Sequence, residues 1–164
     1  MIEILLSKGY ISQIDDIDKD VIEKYNLYPK KSRNTRYVYI CINKYINTAL
    51  HRIILQRKLD RLILLSEQVD HIDGNGLNNC RNNIRLASSM DNLHNVAKRK
   101  NKCTSKYKGV SLYKGGPKWK AQIMYNYHNI TIGYFYNELD AAIAYNEAAK
   151  IKFGEFAWLN DVTK

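Results

Sequence analysis

The chain of 164 residues has no apolar run approaching the ~18 residues that a membrane-spanning helix needs, so a transmembrane span is not expected. Cysteine is scarce: Cys41, Cys80 and Cys103 make an odd number, and no C-x-x-C pair occurs. That argues against a disulfide framework and against a zinc ribbon, and it fits reduced thiols in a cytosolic setting. The opening stretch MIEILLSKGYISQIDDID turns acidic after a short apolar run. It lacks the basic region and the small-residue cleavage site of a secretory signal. The carboxylates of DDIDKD (residues 15–20) lack the Gly and the final Glu of an EF-hand loop, so no calcium loop is expected there. The most telling absence is of one sign of charge. Residues 92–137 contain no Asp or Glu, yet carry nine Lys and Arg: Lys98, Arg99, Lys100, Lys102, Lys106, Lys108, Lys114, Lys118 and Lys120.

A solvated protein surface normally intersperses the two signs, so an acid-free basic run points to phosphate binding. The whole chain agrees, with a net charge of +10 and 45% hydrophobic residues. The apolar fraction is enough for folded cores. A basic folded protein attracts polyanions, nucleic acid first and a membrane surface second. The length allows one medium domain or two small ones.

Three segments separate along the chain. Residues 1–66 alternate short apolar stretches with turns. Within them YVYICI (residues 37–42) reads as a strand, and TALHRIILQRKL (residues 48–59) as a helix capped by Thr48 or a strand leading into one. Residues 67–100 read as strand (QVDHI), polar loop (GNGLNNCRNN), strand (IRLA), then a helix from SSMDNLHN with Ser88 or Ser89 as N-cap. Residues 101–164 read as three strands, KGVSLY, KWKAQIMY and ITIGYF, then an alanine-rich helix capped by Asn137 and ended by Gly154. The expected class is α+β, in two parts, 1–100 and 101–164.

The middle segment carries a pattern suited to phosphodiester hydrolysis. That reaction needs a water, a base to take its proton, and a cation to hold charge on the phosphate. His71 can be the base and Asp70 a charged oxygen ligand. Neighbours on a strand point to opposite sides, so the two meet one site only where the strand end twists or the ion sits at its edge. Asn92, one turn into the following helix, can add a second oxygen ligand, and Asn83 can fix the loop and orient the imidazole.

These residues resemble a known family. VDHIDGN, then N-x-x-N-I-R-L, then DNLHN, over residues 69–95, is similar to the HNH endonuclease motif of phage and group I intron enzymes. The three signature positions fall on His71, Asn83 and Asn92. In the zinc-free phage branch the last is Asn, as here. The resemblance implies a ββα-metal module (core 67–100) with His71 as general base, Asn83 as the loop-positioning residue, and Asp70 and Asn92 as ligands to one Mg²⁺ or Mn²⁺, with no zinc. His94, just after Asn92, is given a peripheral role. LHRIIL (residues 50–55) resembles the H-R stretch that precedes the motif in many such proteins. His51 and Arg52 then touch DNA, brace the site or act structurally.

In KWKAQIM, Trp119, Ala121 and Ile123 fall on one strand face and Lys118, Lys120, Gln122 and Met124 on the other. The first face suits packing on the alanine-rich helix, and the second suits a duplex groove. The markers KYKGV, KWKAQI, IGYF, DAAIAYNEAA and FGEFAWLN resemble the AP2/ERF DNA-binding domain, a three-stranded antiparallel sheet packed on one helix. The base-reading positions of that family fall on Lys108, Ser111, Tyr113, Gln122, Met124 and Thr131. Only Lys108 is cationic, so the plant sequence preference is not carried over. Trp119, Phe135, Tyr145 and Trp158 read as core.

The resemblances imply a metal-dependent endonuclease of homing or mobile-element type, of viral or phage kind, acting on double-stranded DNA. The DNA-contacting set is Lys98, Arg99, Lys108, Tyr113, Lys118, Lys120, Gln122 and Thr131. The alternative is a sequence-specific DNA-binding regulator with a non-catalytic HNH scaffold. An RNA binder is less well matched, because the sheet lacks the paired aromatics of an RRM. The expected location is the cytosol, nucleoid or nucleus of a host cell, without secretion. No membrane association and no protein partner are inferred.

Overall fold

A computed structural model describes residues 1–32, 35–98 and 104–163, apart from the Leu93 side chain. Two compact units form, Met1–Asn92 and Leu93–Lys164. The class is α+β, with several small antiparallel sheets and four α-helices among the described residues.

In the first unit, β1 (Ile2–Leu5) and β2 (Ile11–Ile14) form a hairpin, followed by α1 (Lys19–Lys24). A meander of β3 (Asn26–Lys31), β4 (Arg36–Cys41) and β5 (Asn47–Ala49) comes next. The sequence left a strand and a helix open for residues 48–59, and the chain uses both. β5 runs straight into α2 (Leu50–Leu59), with Ala49 rather than Thr48 at the N-cap. The second hairpin pairs β6 (Gln68–His71) with β7 (Ile84–Ala87), and α3 (Ser89–His94) follows. Helix α3 starts at a capping box. Ser88 Oγ accepts from Asp91 N at 3.1 Å, while Ser88 N donates back to Asp91 Oδ2 at 3.0 Å.

Leu50, Ile54 and Leu55 of α2 pack on Val38 and Ile40 of β4 and Ile84 of β7, all essentially inaccessible to water. Each such side chain contributes about 1.5–3 kcal/mol of burial. One core therefore fixes the β6–β7 hairpin to the rest of the unit.

The second unit is a sheet of order β10-β9-β8, made of β8 (Val110–Leu112), β9 (Trp119–Tyr125) and β10 (His128–Phe135), and covered by α4 (Glu138–Phe153). Asn126 and Tyr127 make the β9–β10 turn, both at positive φ, the geometry of a two-residue hairpin loop. Strand β10 therefore begins two residues earlier than its apolar pattern shows. Ala121 and Ile123 of β9 lie buried with Ala141, Ala142, Tyr145 and Ala149 of α4. Trp119 and Phe135 are partly buried against these clusters, and Trp158 is half-buried. Asn137 Oδ1 accepts from Leu139 N to open α4, and Gly154 at φ 54° closes it. Gly109 has φ +75°, and a Cβ there would sit 2.0 Å from the Tyr145 ring, so β8 approaches α4 only with glycine at this position.

Candidate active site

The asparagine-rich loop between β6 and β7 is held by its own side chains. Asp73 Oδ1 accepts from Asn75 N (2.8 Å) and Asn83 Nδ2 (3.0 Å), and Asp73 Oδ2 from Asn78 Nδ2 (2.9 Å). Asn75 Oδ1 accepts from Leu77 N at 3.1 Å. Asn83 is 8% exposed and closes the loop: its Oδ1 accepts from Asp73 N, and its Nδ2 also donates to Asn78 O at 2.8 Å. These are the local bonds that Asx side chains make in turns. Gly76 is needed for close approach, since a Cβ there would lie 2.4 Å from the Arg36 carbonyl of β4.

His71 ends β6 and is 4% exposed. Its ring packs against Tyr37 (centroids 5.6 Å apart) and edge-on to His51 (5.0 Å). The side chain that meets its Nε2 is Asn79 Oδ1 at 3.3 Å, a residue that sequence reasoning missed in favour of Asn83. Burial pushes the imidazole below its ordinary pKa, opposed by the Asn79 bond and by the Asp73 and Asp70 charges. The shift favours the uncharged ring, the form that a proton acceptor needs.

His51, at the start of α2, has a buried Nδ1 without a hydrogen-bond partner, and burial lowers its pKa to about 3. The unfolded chain takes up this proton near pH 6.5 and the folded chain does not. Stability should therefore fall as pH drops from about 6.5 towards 3, by up to about 1.4 kcal/mol per pH unit from this residue. Urea titrations across that range should show the slope, and His51→Phe should flatten it. Arg52 braces the segment leading into β6, donating to the Ile63, Leu64 and Glu67 carbonyls at 2.9–3.2 Å.

Asp70 faces the other side of β6. Its Oδ2 accepts from Arg85 Nε (3.1 Å) and Nη2 (2.9 Å) across the hairpin, a partner not singled out from sequence. Gln68 lies two residues away, so it shares that strand face. Gln68 Oε1 accepts from Asn92 Nδ2 at 2.5 Å and its Nε2 donates to Ser89 Oγ at 2.8 Å. Asn92 is therefore held over the face carrying Asp70, with its carbonyl oxygen turned away from Gln68. A carboxylate and an amide oxygen form a hard donor pair suited to Mg²⁺ or Mn²⁺ and poor for zinc. Among the described residues no group of three or more His, Cys, Asp or Glu is placed to hold a metal. A cation on Asp70 and Asn92 would need substrate oxygens or water to complete its shell.

The DDIDKD carboxylates have a role the sequence did not reveal. Asp15 Oδ2 accepts from Arg81 N at 2.7 Å. Asp18, fully buried, accepts from Arg81 Nε (2.7 Å) and Nη2 (2.8 Å) and pairs with Arg57 Nε at 3.0 Å. Arg81 opens the 3-10 turn that ends at Asn83, so the amino-terminal segment anchors the loop.

In the second unit, Tyr113, Lys120 and Gln122 line an open groove of about 610 Å³ together with Thr104, Ser111 and Lys114. Tyr113 packs edge-on to Tyr134 with centroids 4.7 Å apart. Thr131 is exposed opposite Gln122 on β10, and the Lys118 ammonium lies 4.6 Å from the centroid of the Tyr136 ring. Two other lysines of the expected DNA-contacting set, Lys98, which also lines this groove, and Lys108, bond backbone carbonyls. Lys98 Nζ donates to the Ser105 and Tyr107 carbonyls, both at 2.6 Å. Lys108 Nζ donates to the His94 carbonyl at 2.8 Å, with burial lowering its pKa to about 8. The His94 ring stacks on Phe153 at 3.8 Å. Arg99 lies outside the described residues, as do Lys100, Lys102 and Cys103. No helix among the described residues is long and apolar enough to cross a membrane.

The chain is similar to an uncharacterised HNH endonuclease of Acanthamoeba polyphaga mimivirus, with 36% identity over 113 residues. The match takes in 69% of this chain and 57% of the relative, so the chain spans a little over half of that protein's length. No family model and no solved structure matches the chain.

Proposed function

We propose that the protein is a metal-dependent DNA endonuclease of the HNH type. What supports this reading is one hairpin that bears a buried imidazole, His71, and, on the opposite strand face, the neighbouring carboxylate in sequence, Asp70, whose face Asn92 reaches through Gln68. The similarity to a viral protein named as an HNH endonuclease supports it. Asp70 and Asn92 would hold a single Mg²⁺ or Mn²⁺, and Asn83 fixes the loop that follows His71. When bound, the ion supplies the positive charge that stabilises the pentacovalent phosphate and the departing 3′ oxygen. His71 takes a proton from the attacking water, at the end of β6 where the strand finishes and the chain can present both sides to one phosphate. The products carry 5′-phosphate and 3′-hydroxyl ends. The biology that goes with this reading is that of a homing or mobile-element enzyme.

The second unit, read as an AP2-like module, holds the duplex along its open sheet face through Lys118, Lys120, Tyr113, Gln122 and Thr131. Each phosphate contact releases counterions and steepens the salt dependence of binding. Lys118→Ala with Lys120→Ala should therefore weaken duplex binding and make the plot of log affinity against log salt shallower by up to about 2. Fluorescence anisotropy from 50 to 200 mM salt measures it, and an unchanged slope removes these lysines from the interface.

The reaction itself is tested by relaxation of supercoiled plasmid and of the chain's native genomic DNA. Nicking or linearisation with Mg²⁺ or Mn²⁺ that stops with EDTA is the expected result. Tight binding of both DNAs without cleavage overturns the nuclease reading and leaves a DNA-binding regulator.

A further inference from the structure

Asn79 and Ser12 are both fully buried, although both are polar and neither belongs to the motif signature. Buried polar side chains persist where their bonds are made, and here those bonds fix the Asn79 amide that meets His71. The Leu77 carbonyl lies 3.3 Å from Asn79 Nδ2. A carbonyl can only accept, so the amide nitrogen is the atom that faces it, and the amide orientation is fixed by chemistry. The same Nδ2 lies 3.1 Å from Ser12 Oγ, which spends its own proton on the Leu77 carbonyl at 2.7 Å and so accepts from Asn79. Backbone bonds clamp the pair from both sides: Asn79 N donates to Gln13 O (2.8 Å) and Gln13 N to Leu77 O (2.9 Å). Asn79 Oδ1 is thereby left aimed at His71 Nε2. An amide oxygen can only accept, so the ring nitrogen that it meets must carry a proton.

We propose that Asn79, locked by Ser12 of β2, is a positioning residue that holds His71 as its Nε2–H tautomer and so makes Nδ1 the atom that receives the water's proton. This rests on the reading of His71 as general base. In the step, the water O–H bond breaks and its proton goes to Nδ1, the freed electron pair on oxygen forms the bond to phosphorus, and the P–O3′ bond breaks with its pair leaving on the 3′ oxygen. The resulting imidazolium still donates Nε2–H to Asn79. The β1–β2 hairpin, remote in sequence from the motif, thus becomes part of the machinery.

The test is long-range ¹H–¹⁵N correlation on the full chain labelled at histidine, with the His71 ring assigned by its loss in His71→Gln. The neutral ring should show a protonated Nε2 and a bare Nδ1. Asn79→Leu keeps the size but offers no acceptor. It should mix the tautomers and lower kcat by about 10- to 100-fold with KM little changed. Asn79→Asp keeps an acceptor toward Nε2 but sets a second oxygen against the Leu77 carbonyl, so it should restore the tautomer and only part of kcat, a partial rescue that a purely packing role does not explain. A wild-type ring protonated at Nδ1, or an Asn79→Leu protein with unmixed tautomer and normal kcat, overturns the proposal. If Asn79→Leu does not fold, the wild-type spectrum and Ser12→Ala, which should partly mix the tautomers, decide it. A correct tautomer in a protein that never cleaves DNA overturns the nuclease reading alone. Cleavage by a protein with the wrong tautomer overturns this inference alone.

Discussion

With alanine at position 71, the protein should bind duplex DNA as before and cleave it about 100- to 10,000-fold more slowly, the usual contribution of one general base. The separation of the two effects is the informative part. His71 lies inside the first unit, 4% exposed, with its ring among Tyr37, His51 and Asn79. It offers no surface to a distant stretch of duplex, whereas Lys120 and Gln122 lie along an open groove of the second unit. Removing the imidazole also removes ring contacts, so some loss of stability accompanies the change. His71→Gln separates the two consequences, because it keeps much of the volume but has no basic nitrogen. Both variants should remain folded at the assay temperature, bind with near wild-type affinity, and lose cleavage alike. Normal turnover in His71→Gln would remove the general-base role from this residue.

How much of this was legible follows from the range of the interactions. The β6–β7 hairpin, the start of α3 and the helix α4 are written in local signals: apolar alternation, Ser88 three residues before Asp91, Asn137 before an alanine-rich run, Gly154 after it. The same is true of the two faces of β9, where Ala121 and Ile123 are buried and Met124 is exposed. What was missed depends on partners far away in the chain. The sequence offers Asn75, Asn78, Asn79, Asn82 and Asn83 in one loop, and the motif resemblance marks Asn83 while nothing local marks Asn79. Asn79 is locked by Ser12, 67 residues earlier, and Asp18 binds Arg81, 63 residues later, besides Arg57. Lys98 and Lys108 read as phosphate ligands by charge alone, yet nearby carbonyls within their own unit take their ammonium groups. A positive side chain in a basic run does not reveal by its identity whether it faces solvent or caps backbone.

Asp18→Ala should be the most damaging single substitution outside the catalytic hairpin, costing about 3 kcal/mol. The carboxylate is fully buried and serves two guanidinium groups, Arg81 by a two-pronged bond and Arg57 through Nε. Breaking a buried pair is costly because the abandoned charges keep their desolvation without compensation. Here the loss is moderated, since the Arg81 and Arg57 side chains are 24% and 37% exposed and can regain some water, and Arg57 keeps Asp20. Asp20 gives the comparison: it bonds the same Arg57 but is 65% exposed, so Asp20→Ala should leave stability nearly unchanged. The two carboxylates stand two residues apart, so any general effect of removing negative charge from this segment is shared, and what differs is burial and the bond to Arg81. Denaturant titration should place the Asp18→Ala midpoint well below that of Asp20→Ala, and equal midpoints would mean that the Asp18 network carries no special weight. The damage should also reach catalysis. Arg81 leads the 3-10 turn that ends at Asn83, and Asn83 closes the loop after His71. Under conditions where Asp18→Ala is still folded, kcat should fall while Asp20→Ala stays at the wild-type rate, because only the first loosens the loop on which the histidine depends.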